Sequence, residues 1–211
     1  MLVEATARRT MVLPSPPEPP AGPDAPHPLR WTREEFYQLA EAGFFHGRRV
    51  MLIEGKVIVM SPMRDPHARA IVFALQALPP VLGGEFTYRP QMPLHLGQSS
   101  EPEPDLAVIA GSPRSQPPGH PTTAALVVEV ADSSLAFDTG DKCSLYAAAG
   151  IADYWVVDLA HNRLLVYRDP RPDPSAVHGA IYFHRKFFNP TDTIAPLAAP
   201  GSAIAVADLL P

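Results

Sequence analysis

The chain has 211 residues, 46% hydrophobic and 18% charged, with 17 Lys+Arg against 22 Asp+Glu, one cysteine and 27 prolines. That length fits one domain with an appendage, and a single cysteine excludes a disulfide framework and a cysteine-built zinc site, pointing to a reducing, cytoplasmic setting. The longest apolar run, Ala70 to Leu75, falls far short of the ~18 residues a spanning helix needs, so no membrane is expected, and a net charge of −5 excludes gripping nucleic acid by bulk charge.

Residues 1–29 read as a disordered Pro-rich arm, because PSPPEPPAGPDAPHP can form neither helix nor ladder, and one folded domain is expected over 30–211. Thr32 and Glu35 have capping-box spacing ahead of Phe36, Leu39 and Ala40, which predicts a short helix ending near Gly43. VMLIEGKVIVM reads as two strands turning at Gly55, with Glu54 ending the first. Asp65 and Pro66 form an N-cap and first-turn pair for a helix through Leu78, apolar nearly all round and so expected to be buried against a sheet.

Strands follow over Glu85 to Leu96 and Asp105 to Ala110. After a loop rich in Pro and Gly, Ala124 to Val130 reads as a central strand buried on both faces. A helix is expected over Asp138 to Ala149, stopped by Gly150, and then a hairpin of Tyr154 to Val157 with Leu164 to Arg168. Ile181 to Phe188 is a last strand, followed by a short tail. Tyr154 and Trp155 read as core or dimer-interface aromatics, and Asp158 as a turn residue. The irregular alternation gives an α/β or α+β class around one mixed sheet.

The informative residues are acids where acids are costly. Glu129 lies inside VVEV, and a buried isolated carboxylate must lose its charge or face a cation. Asp105 opens the apolar strand DLAVIA directly after Pro104, and Glu54 ends MLIE. Three carboxylates at the ends of three neighbouring strands can converge on one hard divalent ion, Mg²⁺ or Mn²⁺. Lys142 shares a helix face with Leu145, Tyr146 and Ala149, so it is expected to point inward, where an ammonium can orient water or stabilise charge on a phosphoryl oxygen. Together these groups suit metal-assisted phosphodiester hydrolysis.

Each has a plainer alternative. Glu129 can be a structural acid held by backbone amides or an arginine, although its place with Asp105 favours a site, Lys142 can pair with Asp138 one turn earlier, and Glu54 can be a turn residue. His67 can be a solvated first-turn histidine or a ligand, and Glu101 and Glu103 can be outer acids or loop charges. Other chemistries leave no trace: there is no G-x-S-x-G, P-loop or dinucleotide fingerprint, and His161, His178 and His184 fit no common metal spacing.

The strings IEGKVIVMSP, EPEPDLAVIA, LVVEVADSSLAFDTGDKCSLYAAAGIADYWVVD and VYR, over about residues 31–210, resemble the Uma2 family (DUF820) of the PD-(D/E)XK, restriction-endonuclease-like superfamily. The resemblance implies a central mixed sheet flanked by helices and Mg²⁺-dependent cleavage of DNA, in a superfamily where homodimers are common. On this chain the PD dipeptide is Pro104-Asp105 and the following acid is Glu129. Ala131 stands where a D/E-x-K motif has lysine, and the family pattern places the lysine in D-x-x-x-K, here Asp138 to Lys142. Asp105 and Glu129, with the Val130 carbonyl, would hold the metal; Glu54 matches the acid of the family's first strand and His67 a histidine opening the next helix. A nuclease-derived fold kept as a non-catalytic nucleic-acid-binding or regulatory module is the alternative.

Overall fold

The computed structural model describes residues 26–211, so residues 1–25 of the expected arm lie outside the described residues. Thr32 caps helix α1 (Arg33–Glu41) through the full capping box, its side chain accepting from the Glu35 amide while the Glu35 carboxylate accepts from the Thr32 amide. Strands β1 (Val50–Ile53) and β2 (Lys56–Val59) form a separate antiparallel hairpin. Its two-residue turn is Glu54-Gly55, and both have positive φ, the backbone a tight hairpin turn demands.

Helix α2 runs over Asp65–Leu82, longer than the expected end at Leu78. Pro79 and Pro80 sit inside it, and the helix stops only at Gly83, whose amide bonds the Pro79 carbonyl. Asp65 is its first helical residue; the cap is Arg64, with no side-chain hydrogen bond. Nor is α2 buried all round: Ala70, Ile71, Ala74, Leu78 and Leu82 are buried, and Val72 on the opposite side is 48% exposed.

The central sheet has six strands: β3 (Phe86–Pro90), β4 (Leu106–Ala110), β5 (Leu126–Ala131), β6 (Asp153–Asp158), β7 (Arg163–Pro172) and β8 (Ala180–Phe188), in that spatial order. All neighbours are antiparallel except β5 and β6. That parallel pair needs a crossover, and α3 (Leu135–Thr139) and α4 (Asp141–Ala148) provide it. The single helix expected from Asp138 is thus two short ones broken at Gly140. A Cβ on Gly140 would lie 2.8 Å from the Ala136 carbonyl, so the bend requires glycine there. Strand β3 also ends early: Gln91 has φ +50, and the chain leaves the sheet to run beside β1, where the Glu101 amide bonds the Leu52 carbonyl.

Every residue of β5 is buried, and its alternating side chains feed two cores. Leu126, Val128 and Val130 pack against α2. The expected short tail belongs to this layer: β9 (Thr193–Ile194) pairs with β10 (Ile204–Ala205), and Ile204, Val206 and Leu209 are buried there. Val127 and Ala131 face the other way, toward α4, the β1–β2 hairpin and a group of stacked tyrosines that includes Tyr154. Trp155 is buried on the α2 side, so both aromatics of the YWVV run are core residues. By strand alternation Glu129 projects into the Val127 face.

Candidate active site

Antiparallel pairing of Leu106 with Val128 sets Asp105, one residue before β4, beside Glu129 and Val130 of β5. The Val130 amide donates to Asp105 Oδ2 at 2.8 Å, and the Asp105 amide lies 3.4 Å from Glu129 Oε2. On the β6 side, the Ala131 carbonyl accepts from the Leu159 amide at 3.0 Å. Val130, next along the strand, therefore turns its own amide and carbonyl toward Asp105. Lys142, in the first turn of α4, reaches the same point from above: its Nζ is 2.9 Å from Glu129 Oε1 and 3.4 Å from Asp138 Oδ1. The inward orientation expected from the helix face is what the structure has, and the lysine pairs with Asp138 as well, across the break at Gly140.

Further partners join the cluster, of which Tyr146 and Gln91 were not named as such from sequence. Tyr146, one turn after Lys142, donates to Glu129 Oε1 at 2.7 Å. Asp138 is buried and takes a hydrogen bond from Ser134. The Gln91 amide lies 3.5 Å from Asp105 Oδ1. His67, open between two readings, places Nε2 2.8 Å from the same Oδ1, so α2 contributes its first turn to the cluster. Tyr146 carried a signal in its place on the Lys142 face, Asp138 in the D-x-x-x-K spacing to Lys142, and His67 in its place at the start of its helix. Asp138 was read as a helix start, and Gln91 depends on a chain reversal that no motif announces.

Glu54 is not brought to this cluster. As a turn residue with φ +47 it is exposed, and its Oε1 accepts from Ser100 Oγ at 2.9 Å. It lines a different cleft, with Arg30, Lys56 and His95. Pairing of Ile53 with Lys56 leaves Glu54 at the hairpin tip, lining that other cleft and not among the residues that line the cleft over Asp105 and Glu129. Glu103 does line the active-site cleft, in an ion pair with Arg49 at 2.9 Å. Glu101 is 2% exposed and turns away, accepting from the Tyr37 hydroxyl. Asp158 accepts from the His161 amide at the β6–β7 turn and pairs with Arg163 at 2.9 Å.

The cleft over Asp105, Glu129, Asp138 and Lys142 has a volume of about 630 Å³, with Arg49 and Arg64 among its walls. Its electrostatics are short of positive charge. Burial pushes Glu129 up to about 8 against the pull of Lys142, and Asp105 and Asp138 add repulsion. Burial raises Asp138 too, although Lys142 and Ser134 oppose it. Burial also works against the Asp105 carboxylate, but His67, Lys142 and the Val130 amide outweigh it and hold its pKa below the usual aspartate value. Lys142 would lose its charge on burial alone; Glu129, Asp138 and Asp105 instead hold it well above a free lysine. The three acids thus favour its ammonium form.

One ammonium thus answers three buried carboxyl groups, with His67 adding charge only when protonated. An oxygen-rich, negatively biased pocket of this kind fits a hard divalent cation, which Asp105, Glu129 and the Val130 carbonyl can bind.

A crystal structure titled a putative nuclease belonging to DUF820, from Anabaena variabilis, superposes with a TM-score of 0.61 at 16% identity, covering 85% of this chain and 97% of that one. At that identity the likeness establishes a shared fold: a mixed central sheet flanked by helices. No functionally curated protein matches the chain. No helix among the described residues is long and apolar enough to cross a membrane. Residues 33–207 match the family model of Uma2, whose description is "Putative restriction endonuclease", and the chain belongs to the Uma2 family.

Proposed function

We propose that this protein is a divalent-metal-dependent endonuclease that hydrolyses phosphodiester bonds of DNA, with Mg²⁺ or Mn²⁺ held by Asp105, Glu129 and the Val130 carbonyl. The observation that carries this reading is the buried Asp105–Glu129–Lys142 cluster, two carboxylates and an ammonium at the wall of an open cleft. Family membership and the shared fold support the nuclease class.

In this reading Asp105, Glu129 and the Val130 carbonyl would hold the ion, which would supply Lewis-acid polarisation of the scissile phosphate and a more acidic water. Lys142, fixed as an ammonium between Glu129 and Asp138, stabilises the charge that builds on a non-bridging phosphoryl oxygen. Tyr146 and Lys142 together hold Glu129 Oε1, which leaves Oε2 turned toward Asp105. His67 holds Asp105 Oδ1 in the same way. Arg49 and Arg64, on the cleft wall, supply local positive charge that the chain as a whole lacks. Binding to DNA is accordingly weak and strongly dependent on salt and metal.

The test is cleavage of supercoiled plasmid by the full-length protein with Mg²⁺ or Mn²⁺, beside Asp105→Ala and Glu129→Ala. Nicking or linearisation is expected from the parent chain and not from either variant. Cleavage that survives both substitutions removes the assigned site. Binding of DNA without cleavage under any divalent ion would instead favour the non-catalytic module.

A further inference from the structure

We propose that His95, Glu101 and His120 form a second metal site, separate from the active-site cluster and suited to a borderline transition ion of the Zn²⁺ class. Two imidazoles and one carboxylate are the donors such ions take, whereas Mg²⁺ prefers oxygen alone. One ligand atom from each residue lies within 4.8 Å of the others. His95 Nε2 is 3.3 Å from Glu101 Oε2, and His120 Nε2 is 3.7 Å from Glu101 Oε1. Around a tetrahedral ion with bonds of about 2.0–2.2 Å, neighbouring ligand atoms stand roughly 3.3–3.6 Å apart, a spacing the His95–Oε2 pair has, while His120 faces the other oxygen of the same carboxylate.

The second observation is an unmet valence. Glu101 is 2% exposed, and its buried Oε2 has no hydrogen-bond partner; nor has the buried Nε2 of His95. These two atoms are near enough to bond, yet they are not aligned as donor and acceptor. With His120 they make a close group of three donors, which an ion could satisfy together. Leaving a buried carboxylate oxygen unpaired is otherwise costly.

The backbone prepares this arrangement. The His95 amide bonds the Pro121 carbonyl at 2.8 Å, tying the loop after β3 to the loop that carries His120. The Glu101 amide bonds the Leu52 carbonyl at 2.7 Å, fixing the carboxylate to β1. Tyr37 donates to Glu101 Oε1 and orients the carboxylate, the part an outer partner plays in metal sites. His95 also lines the cleft beside Arg33 and Lys56, which gives an ion a path in.

One contact opposes the ion. Arg89 Nη2 lies 3.2 Å from His120 Nδ1, and an arginine can only donate. With Nδ1 accepting, a neutral His120 carries its proton on Nε2, so metal loading must move that proton to Nδ1 and displace Arg89. Affinity is therefore set by Arg89, and an acceptor in its place should raise it.

The test is Co²⁺ titration of the full-length protein, purified without a metal-affinity tag and stripped with chelator, read by visible d–d absorption. Parent protein and Asp105→Ala, which lacks an active-site ligand, are both expected to show the bands of four- or five-coordinate Co²⁺, saturating at one equivalent in the variant and competed by Zn²⁺ in both. His95→Ala and the half-exposed His120→Ala, each checked for fold by circular dichroism, should weaken binding at least about tenfold. Arg89→Gln should tighten it. The proposal is overturned if the parent protein shows no such bands, if the bands vanish with Asp105→Ala, or if both histidine variants bind as the parent does. None of these outcomes depends on nuclease activity, so the two sites are tested separately.

Discussion

Replacing Lys142 with methionine keeps most of the buried side-chain volume and removes the ammonium that Glu129 and Asp138 share. The lysine is 5% exposed and lies 2.9 and 3.4 Å from the two carboxylates. Removing one partner of a buried pair costs about 3–5 kcal/mol, because the other charge is left uncompensated. For a domain of this size that lowers the thermal midpoint by about 6–20 °C. In metal-free solution the deficit grows with pH. Glu129 already sits at about 8 with the ammonium present, and losing it raises that value further, so the folded variant retains a proton that the unfolded chain releases. Protonation therefore offsets part of the loss below that pH and little of it above. Excess Mg²⁺ or Mn²⁺ supplies the missing positive charge and narrows the gap. The assay is thermal and urea unfolding of both proteins in chelator, on either side of about pH 8, and then with divalent ion. Equal stability of the two proteins on both sides would refute Lys142 as the counter-charge of the cluster.

Glu129→Gln should be more stable than the parent in chelator above neutral pH, yet lose the stabilisation by Mg²⁺ and the cleavage, measured by the same unfolding curves and the plasmid assay. Metal-free parent protein should itself lose stability as pH rises from about 4.5 to about 8, since the folded state binds a proton on Glu129 that the unfolded state gives up; Mg²⁺ should flatten that slope. Tyr146→Phe removes a buried donor from Glu129 and should cost about 1–3 kcal/mol in urea unfolding, with a higher Mn²⁺ requirement for cleavage. Gly140→Ala places a Cβ 2.8 Å from the Ala136 carbonyl and should cost about 1–3 kcal/mol, with loss of cleavage as Lys142 and Asp138 shift apart.

The parts of the fold legible in the sequence are those set by local chemistry. The capping box at Thr32, the hairpin around Glu54-Gly55 and the fully buried run AALVVEV each carry their own signal, and the placement of Glu129 followed from the last. What failed to show were long-range outcomes. The helix was expected only through Leu78, yet α2 continues through Pro79 and Pro80 to Leu82, which is buried in the same core layer as Leu78. The break at Gly140 depends on a close approach between two backbone segments.

The cluster was legible in the same unequal way. Asp105, Glu129 and Lys142 stand out because charge in an apolar setting demands a reason. Glu54 carried the same local signature, but hairpin register turns it outward. Glu101 looked like a loop charge, because its burial comes from pairing with β1, some fifty residues upstream. Tyr37, which bonds it, lies on α1, where nothing marks it as polar contact for an acid.

The proposed activity requires the Asp105 and Glu129 carboxylates to hold a divalent ion in the cleft. Anomalous diffraction from a Mn²⁺-soaked crystal of the protein tests it most directly. A peak is expected at bonding distance from both carboxylates and the Val130 carbonyl, with Lys142 Nζ still beside Glu129. A fully occupied Mn²⁺ elsewhere, with Asp105 and Glu129 unliganded, would contradict it.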